Sequence, residues 1–219
     1  MLRACRFLLF APCWRCGLDR ADRLDAARLS AGPLDDDVLE LGLGVARTFD
    51  WIPRLRCPSI AAVRGHAYGA GLQLALACDF RIFARGAQVG LTETRHGILP
   101  DMGAIYRLPR IVGESRAGEL ILFGEVLGAE EALRIGLANR MVNDNELESA
   151  AKEFADRLAA QPPLAVSGAR RAIDTVWRMS ADDALRVAVE EQARCLASED
   201  STEAGRALTA GRPPRWKGH

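Results

Sequence analysis

The chain has 219 residues, enough for one large domain or for a domain with an appended helical piece. Its 29 basic residues equal its 29 acidic ones, 49% of residues are hydrophobic and 26% are charged, which excludes a disordered chain and a polyanion-binding surface. No apolar run approaches the ~18 residues that a membrane-spanning helix requires, so a soluble protein without membrane or nucleic-acid partners is expected.

Residues 1–34 are atypical, rich in Arg, Cys and Trp, with no clean period. The opening MLRACRFLLFAPCWRC has the Arg and the apolar patch of a signal peptide, but the patch is short and interrupted, and Arg15, Arg20 and Arg23 follow at once. Cys13 and Cys16 form a lone CxxC with no second pair and no nearby histidine, which does not make a zinc site. Cys57, Cys78 and Cys195 lie among apolar residues and read as small core hydrophobes. This usage fits a reducing compartment, and a cytoplasmic location is expected.

Residues 35–50 read as an amphipathic helix with Val38, Leu41 and Val45 on one side and an acidic first turn. Ser59 to Val63 is a short apolar strand, Gly65 to Gly71 a turn, Leu72 to Ala77 an apolar helix and Phe80 to Ala84 a second strand. That order indicates an α/β layer. Loop and glycine dominate 86–113, with a helix from Gly103 to Ile111; helical pieces follow at Leu120–Gly124 and Ala129–Gly136, then a strand at Ala138–Val142. From Glu146 the pattern is helical over 146–160, 164–178 and 181–197, and the tail GRPPRWKGH is irregular. The expected division is therefore an α/β core over 1–145 and a helical region over 146–219.

The turn Gly65-His66-Ala67-Tyr68-Gly69-Ala70-Gly71 enters a helix. Helix N-termini present unpaired backbone N–H groups and a partial positive charge, so an anionic oxygen is stabilised there. Gly69 and Gly71 allow another backbone or a ligand to come close. Neither GxGxxG nor GxxxxGK[ST] occurs, and a plain tight turn packing strand on helix accounts for the same residues.

The segment IAAVRGHAYGAGLQLALACDFRIFA resembles the signature of the enoyl-CoA hydratase/isomerase (crotonase) family. The similarity continues through AQVGLTETRHGILPDMGAIYRLPRIVG and LFGEVLGAEEALRIGLANRMV to the tail RPPRWKG, covering roughly residues 38–219 in consistent order. It implies a spiral of ββα units, a C-terminal helical trimerisation region and binding of acyl-CoA thioesters. It also implies a homotrimer or hexamer, with Leu185, Val189, Gln192 and Leu196 near one face of the last helix. No metal or redox cofactor is implied, since coenzyme A belongs to the substrate.

Two backbone N–H groups hold the thioester oxygen in this family. By resemblance these belong to Ala70, in the glycine-rich turn, and to Leu18, in Cys16-Gly17-Leu18-Asp19. The family's hydratases use two glutamates; Gln73 stands at the first position and Glu93 at the second. Gln exchanges no proton as a carboxylate does, but it orients water or hydrogen-bonds a substrate. One carboxylate beside an oxyanion hole suits moving a proton between carbons better than adding water. Asp101 matches a further carboxylate of the dienoyl-CoA isomerase branch.

Blander roles remain open for each residue. Glu93 also reads as a surface carboxylate or a helix-start residue, Asp101 as a cap of the following helix, Gln73 as a polar group facing the pocket, His66 and His96 as ordinary polar residues, and Tyr68 as a packing residue. Family members carry a strand–turn–strand unit before the segment matched by Leu18, whereas residues 1–15 supply at most one strand, so the N-terminal strands are expected to be cut short. The expected activity is a double-bond shift in an enoyl-CoA by proton transfer through Glu93. The alternatives are hydration by one glutamate and non-catalytic acyl-CoA binding.

Overall fold

The structure, a computed structural model, describes residues 5–10, 36–55 and 57–219. Strand β1 (Cys5–Phe10) and helix α1 (Asp36–Ala46) come first. Val45 of α1 is buried, as its place on the apolar stripe predicts. The side chains of Val38 and Leu41 lie outside what the structure describes.

β2 (Ile60–Tyr68), α2 (Ala70–Ala77) and β3 (Phe80–Ala84) follow in the order expected. β4 (Gln88–Gly90), a 3-10 turn (Glu93–His96), α3 (Ala104–Val112), α4 (Glu114–Leu122), β5 (Val126–Gly128), α5 (Ala129–Arg134) and β6 (Arg140–Val142) complete the α/β part. The sheet runs β5-β4-β2-β3-β6, with β1 also paired to β2.

β2 is the organising strand. Ile60 to Val63 are all buried, the continuous apolar run of a strand covered on both faces. They pair in parallel with β3, Ile60 opposite Phe80 and Val63 opposite Phe83, and antiparallel with β1. The strand then continues through Gly65, where a turn was expected, because His66, Ala67 and Tyr68 pair with Gln88, Val89 and Gly90 of β4. The turn is confined to Gly69, whose φ of 55° favours glycine, and α2 begins at Ala70 rather than Leu72.

A helix of 8 residues such as α2 is marginal by itself. Arg81, buried in β3, secures its end. The guanidinium donates to the carbonyls of Cys78 (2.8 Å), Ala75 (3.4 Å) and Leu137 (2.7 Å). A cation at a helix C-terminus complements the helix dipole, and these bonds satisfy a charge that would otherwise be costly to bury. At the start of β3, Asp79 accepts from both the N–H and the hydroxyl of Ser59 at 2.7 Å, locking β2 to β3. The core beneath includes Ile52, Val63, Leu72, Phe83, Val89, Leu91, Leu108 and Leu137.

The chain divides into two compact units, the first ending at Lys152 and the second running from Glu153 to His219 with residues 57–58 grouped with it. The division falls inside α6 (Leu147–Ala159). The second unit also holds α7 (Pro163–Thr175), α8 (Ala181–Leu196) and α9 (Glu199–Thr209). α9 was not expected, since EDSTEAGRALT has few apolar residues and an internal glycine. Its start is nonetheless capped, Ser198 Oγ accepting from the Ser201 N–H at 3.2 Å. α7 and α8 are joined by Glu191, which accepts from Arg171 at 2.9 and 2.6 Å and from Arg194 at 2.8 Å; the Arg171 bonds hold its carboxyl below the usual range.

The tail is irregular, as its prolines predict, and it is tied down. Asp200 accepts from the N–H groups of Lys217 (2.6 Å) and Gly218 (3.0 Å), and Trp216 Nε1 donates to the Ala160 carbonyl at 2.8 Å. Of the cysteines read as core residues, Cys78 is buried while Cys57 and Cys195 are only half-buried. Burial pushes the Cys78 thiol up to about 11. Among the described residues no helix is long and apolar enough to cross a membrane.

Candidate active site

The site forms where β2 passes through Gly69 into α2. Ala70 is the first residue of that helix. First-turn N–H groups have no acceptor within their own helix and point outward from its end. The turn is fixed from β4, because the Gly69 N–H donates to the Gly90 carbonyl at 2.9 Å.

Glu93 arrives from the other side, at the start of the 3-10 turn that follows β4. It is both a helix-start residue and a buried one, 8% exposed, so the surface-carboxylate reading does not hold. Its carboxylate lies on the α2 entry turn: a Cβ added to Gly69 would stand 3.4 Å from Oε1. That is ordinary contact, so the glycine is required here by its φ rather than by lack of space.

Gln73 lies one helical turn beyond Ala70, on the same side of α2. It is 2% exposed, and its Nε2 donates to Glu93 Oε1 at 2.8 Å. Its own Oε1 accepts from the Ala104 N–H at 3.3 Å. Glu93 Oε2 is buried and has no hydrogen-bond partner. Burial pushes the Glu93 carboxyl up, opposed by hydrogen bonds from its own backbone N–H and from Gln73; the charge on Asp101 adds to the rise and that on His96 opposes it.

Asp101 is exposed and electrostatically coupled to Glu93. It does not cap α3: the N-cap residue of that helix is Gly103. His96 is exposed beside the site, and His66 is exposed with its ring 5.3 Å from that of Tyr68. Tyr68 does not pack inside as expected; it is partly exposed and donates its hydroxyl to Gln88 at 2.7 Å, because its place on β2 faces away from the core. Leu18 and the Cys13–Cys16 pair lie outside the described residues.

The structure thus brings Ala70, Gln73 and Glu93 together and sets Asp101 at the margin. Two contributors escaped sequence reading: the Ala104 N–H, which holds Gln73, and Gly90, which holds the Gly69 turn. Both act through the backbone over 31 and 21 residues, and side-chain patterns carry no trace of such contacts. Chemically, a buried carboxylate with one unmatched oxygen beside outward N–H groups can take a proton from a carbon whose neighbouring carbonyl oxygen is held at the helix end.

A sequence model of the family described as Enoyl-CoA hydratase/isomerase matches residues 36–219. The carnitinyl-CoA dehydratase of Salmonella arizonae is 39% identical over 180 residues, covering 80% of this chain and 67% of that protein. The carnitinyl-CoA dehydratase of Escherichia coli K12 is 39% identical over 165 residues, covering 74% of this chain and 63% of that protein. The chain therefore spans about two thirds or less of the length of these relatives. Among solved structures, an enoyl-CoA hydratase from Bacillus anthracis superposes with a TM-score of 0.80 at 36% identity, covering 86% of this chain and 73% of that one. An enoyl-CoA hydratase from Polaromonas sp. JS666 gives 0.79 at 29% identity, over 89% and 74%.

Proposed function

This chain belongs to the enoyl-CoA hydratase/isomerase family and has the crotonase fold, and from that premise we propose that it moves a proton at the carbon alpha to an acyl-CoA carbonyl, with Glu93 as the carrier. The observation that supports this most directly is the buried Glu93 carboxylate with Oε2 unmatched beside the first turn of α2. Glu93 Oε2 takes the alpha proton, and the electron pair of that C–H bond passes to the thioester oxygen. The Ala70 N–H stabilises the charge there, with the Leu18 N–H as second donor; one such donor is typically worth ~3 kcal/mol in the transition state. With a 3-enoyl thioester Glu93 returns a proton to the dienolate two carbons along, and the double bond shifts. No metal or redox cofactor takes part, since the thioester supplies the acidity.

The similarity to carnitinyl-CoA dehydratases favours a second reading. The same alpha-proton removal from a 3-hydroxyacyl thioester, followed by loss of the hydroxyl from the beta carbon with a proton, expels water. In this reading the proton that leaves with the hydroxyl is the one that Glu93 Oε2 has just taken. Subunits of the proposed enzyme assemble as a homotrimer or a pair of trimers.

The test incubates the protein in deuterated water with a saturated, a 3-enoyl and a 3-hydroxyacyl-CoA thioester. Alpha-deuteration with a double-bond shift supports the first reading, and formation of 2-enoyl product from the hydroxy compound supports the second. Binding without exchange leaves a non-catalytic acyl-CoA binder. Glu93→Gln is expected to lower turnover at least about a hundredfold with little change in thioester affinity, the mark of an interaction used in the transition state. A variant retaining more than about a tenth of the rate overturns the assignment.

A further inference from the structure

The family's hydratases carry a glutamate where this chain has Gln73, and the structure gives that glutamine a definite orientation. Its carbonyl oxygen faces the Ala104 N–H at 3.3 Å, a group that can only donate. Its amide nitrogen therefore faces Glu93 Oε1, at 2.8 Å, and can only donate in turn. Ala104 is the first residue of α3, whose N-cap Gly103 has no side chain to accept, so Gln73 supplies the acceptor from outside. The amide is thus gripped by α3 on one side and grips the carboxylate on the other. Glu93 Oε2 is left as the one oxygen of the pair without a partner.

We infer that Gln73 is a positioning residue that makes Glu93 a one-oxygen base: it occupies Oε1 with a fixed donor, so that Oε2 alone exchanges the proton. This deepens the proposed proton-transfer activity and rests on it for its kinetic consequences. With a single working oxygen, Glu93 both removes a proton from the substrate and returns one to it. A glutamate at position 73 would instead set two carboxylates at hydrogen-bond distance, which hold a proton between them and titrate as a pair. Gln73 does not exchange protons itself.

The experiment compares the wild type with Gln73→Met, which removes the donor and the acceptor, and Gln73→Glu, which keeps an oxygen for Ala104 but can donate to Glu93 only while protonated. In both variants the acid limb of the kcat/KM profile is expected to move up by about one pH unit, as loss of a hydrogen bond to the ionised form requires. At the plateau kcat should fall about tenfold or more in Gln73→Met while KM stays within about twofold. An unmoved acid limb in both folded variants overturns the inference. A rise in KM at constant kcat also overturns it, since that would make Gln73 a substrate-binding group.

A second readout is independent of turnover. Infrared titration follows the Glu93 carboxyl stretch, identified by its loss in Glu93→Gln, and the midpoint should rise in Gln73→Met by the same amount. A wild type that exchanges no alpha proton defeats the proposed function, while the infrared midpoint still decides the role of Gln73. A midpoint that does not move defeats the inference and leaves the proposed function standing.

Discussion

Glu93 holds its charge in a place that resists it. Burial lifts its carboxyl above the ordinary value of 4.5, and the nearby charge of Asp101 adds to that rise, while the hydrogen bonds from the backbone and from Gln73 oppose it. A carboxyl whose pKa is higher folded than unfolded binds its proton more tightly in the folded state. The stability that this contributes is fully present below the unfolded pKa and is lost as pH rises through the folded one. Glu93→Gln keeps the shape and an acceptor for Gln73 without the charge. Its melting temperature relative to the wild type should therefore climb across the pH range just above 4.5 and then level off. Calorimetry of both proteins from acid to neutral pH checks this, and a difference that is flat or falls with pH contradicts it. Loss of activity together with a gain in stability is what a strained functional group predicts.

At the scale of elements, the site depends on short strands whose backbones meet closely. Gly90 closes β4, accepts from the Gly69 N–H and packs against β5, where an added Cβ would lie 2.6 Å from the Glu125 carbonyl oxygen and 3.2 Å from the Val126 Cα. Those are main-chain atoms and cannot swing aside. Gly90→Ala must push β5 away or shift the strand that holds the α2 entry turn. The expected cost is about 1–3 kcal/mol of stability, the usual range for forced overpacking. Denaturant unfolding measures it, and turnover should fall further than stability explains because Ala70 moves with the turn. A neutral substitution would show that β4 and β5 have freedom that their pairing does not suggest. The sequence pattern marks neither β4 nor β5, because strands of 3 residues show no period of their own. Their ladder partners make them strands.

For the molecule as a whole, the helical unit has more apolar surface than it covers itself. Leu185, Val189 and Leu196 of α8 are 63%, 67% and 65% exposed, and Ile173, Trp177 and Leu208 are exposed as well. Gln192, counted with the α8 face, is exposed too. Isolated apolar side chains at a surface are ordinary, but this number on neighbouring elements of one helical unit marks a surface that meets another. The proposed assembly places it between subunits. Light scattering on dilute protein should give about three or six times the chain mass of 23.8 kDa, and a mass near that of one chain defeats the proposal. Val189→Glu together with Leu185→Glu should lower the assembled mass, since a charge buried at each contact has no partner there.

The sequence alone determined the succession of strand, glycine turn, helix and strand, the helices of the C-terminal region and the family, because each rests on local chemistry: apolar runs, turn residues and a motif of consistent spacing. It also singled out Ala70, Gln73 and Glu93 as candidates. The tertiary structure decided how these residues meet. Gln73 and Glu93 are 20 residues apart in the chain, and Gln73 and Ala104 are 31 apart. That Gln73 donates to Glu93 follows from the acceptor demand of Ala104, which exists only once α3 has docked against α2. β2 likewise runs through Gly65 because β1 pairs with it there and β4 pairs with the residues that follow. Local pattern specifies which elements form, whereas the satisfaction of buried polar groups, which decides what each side chain does, requires partners that only the folded chain supplies.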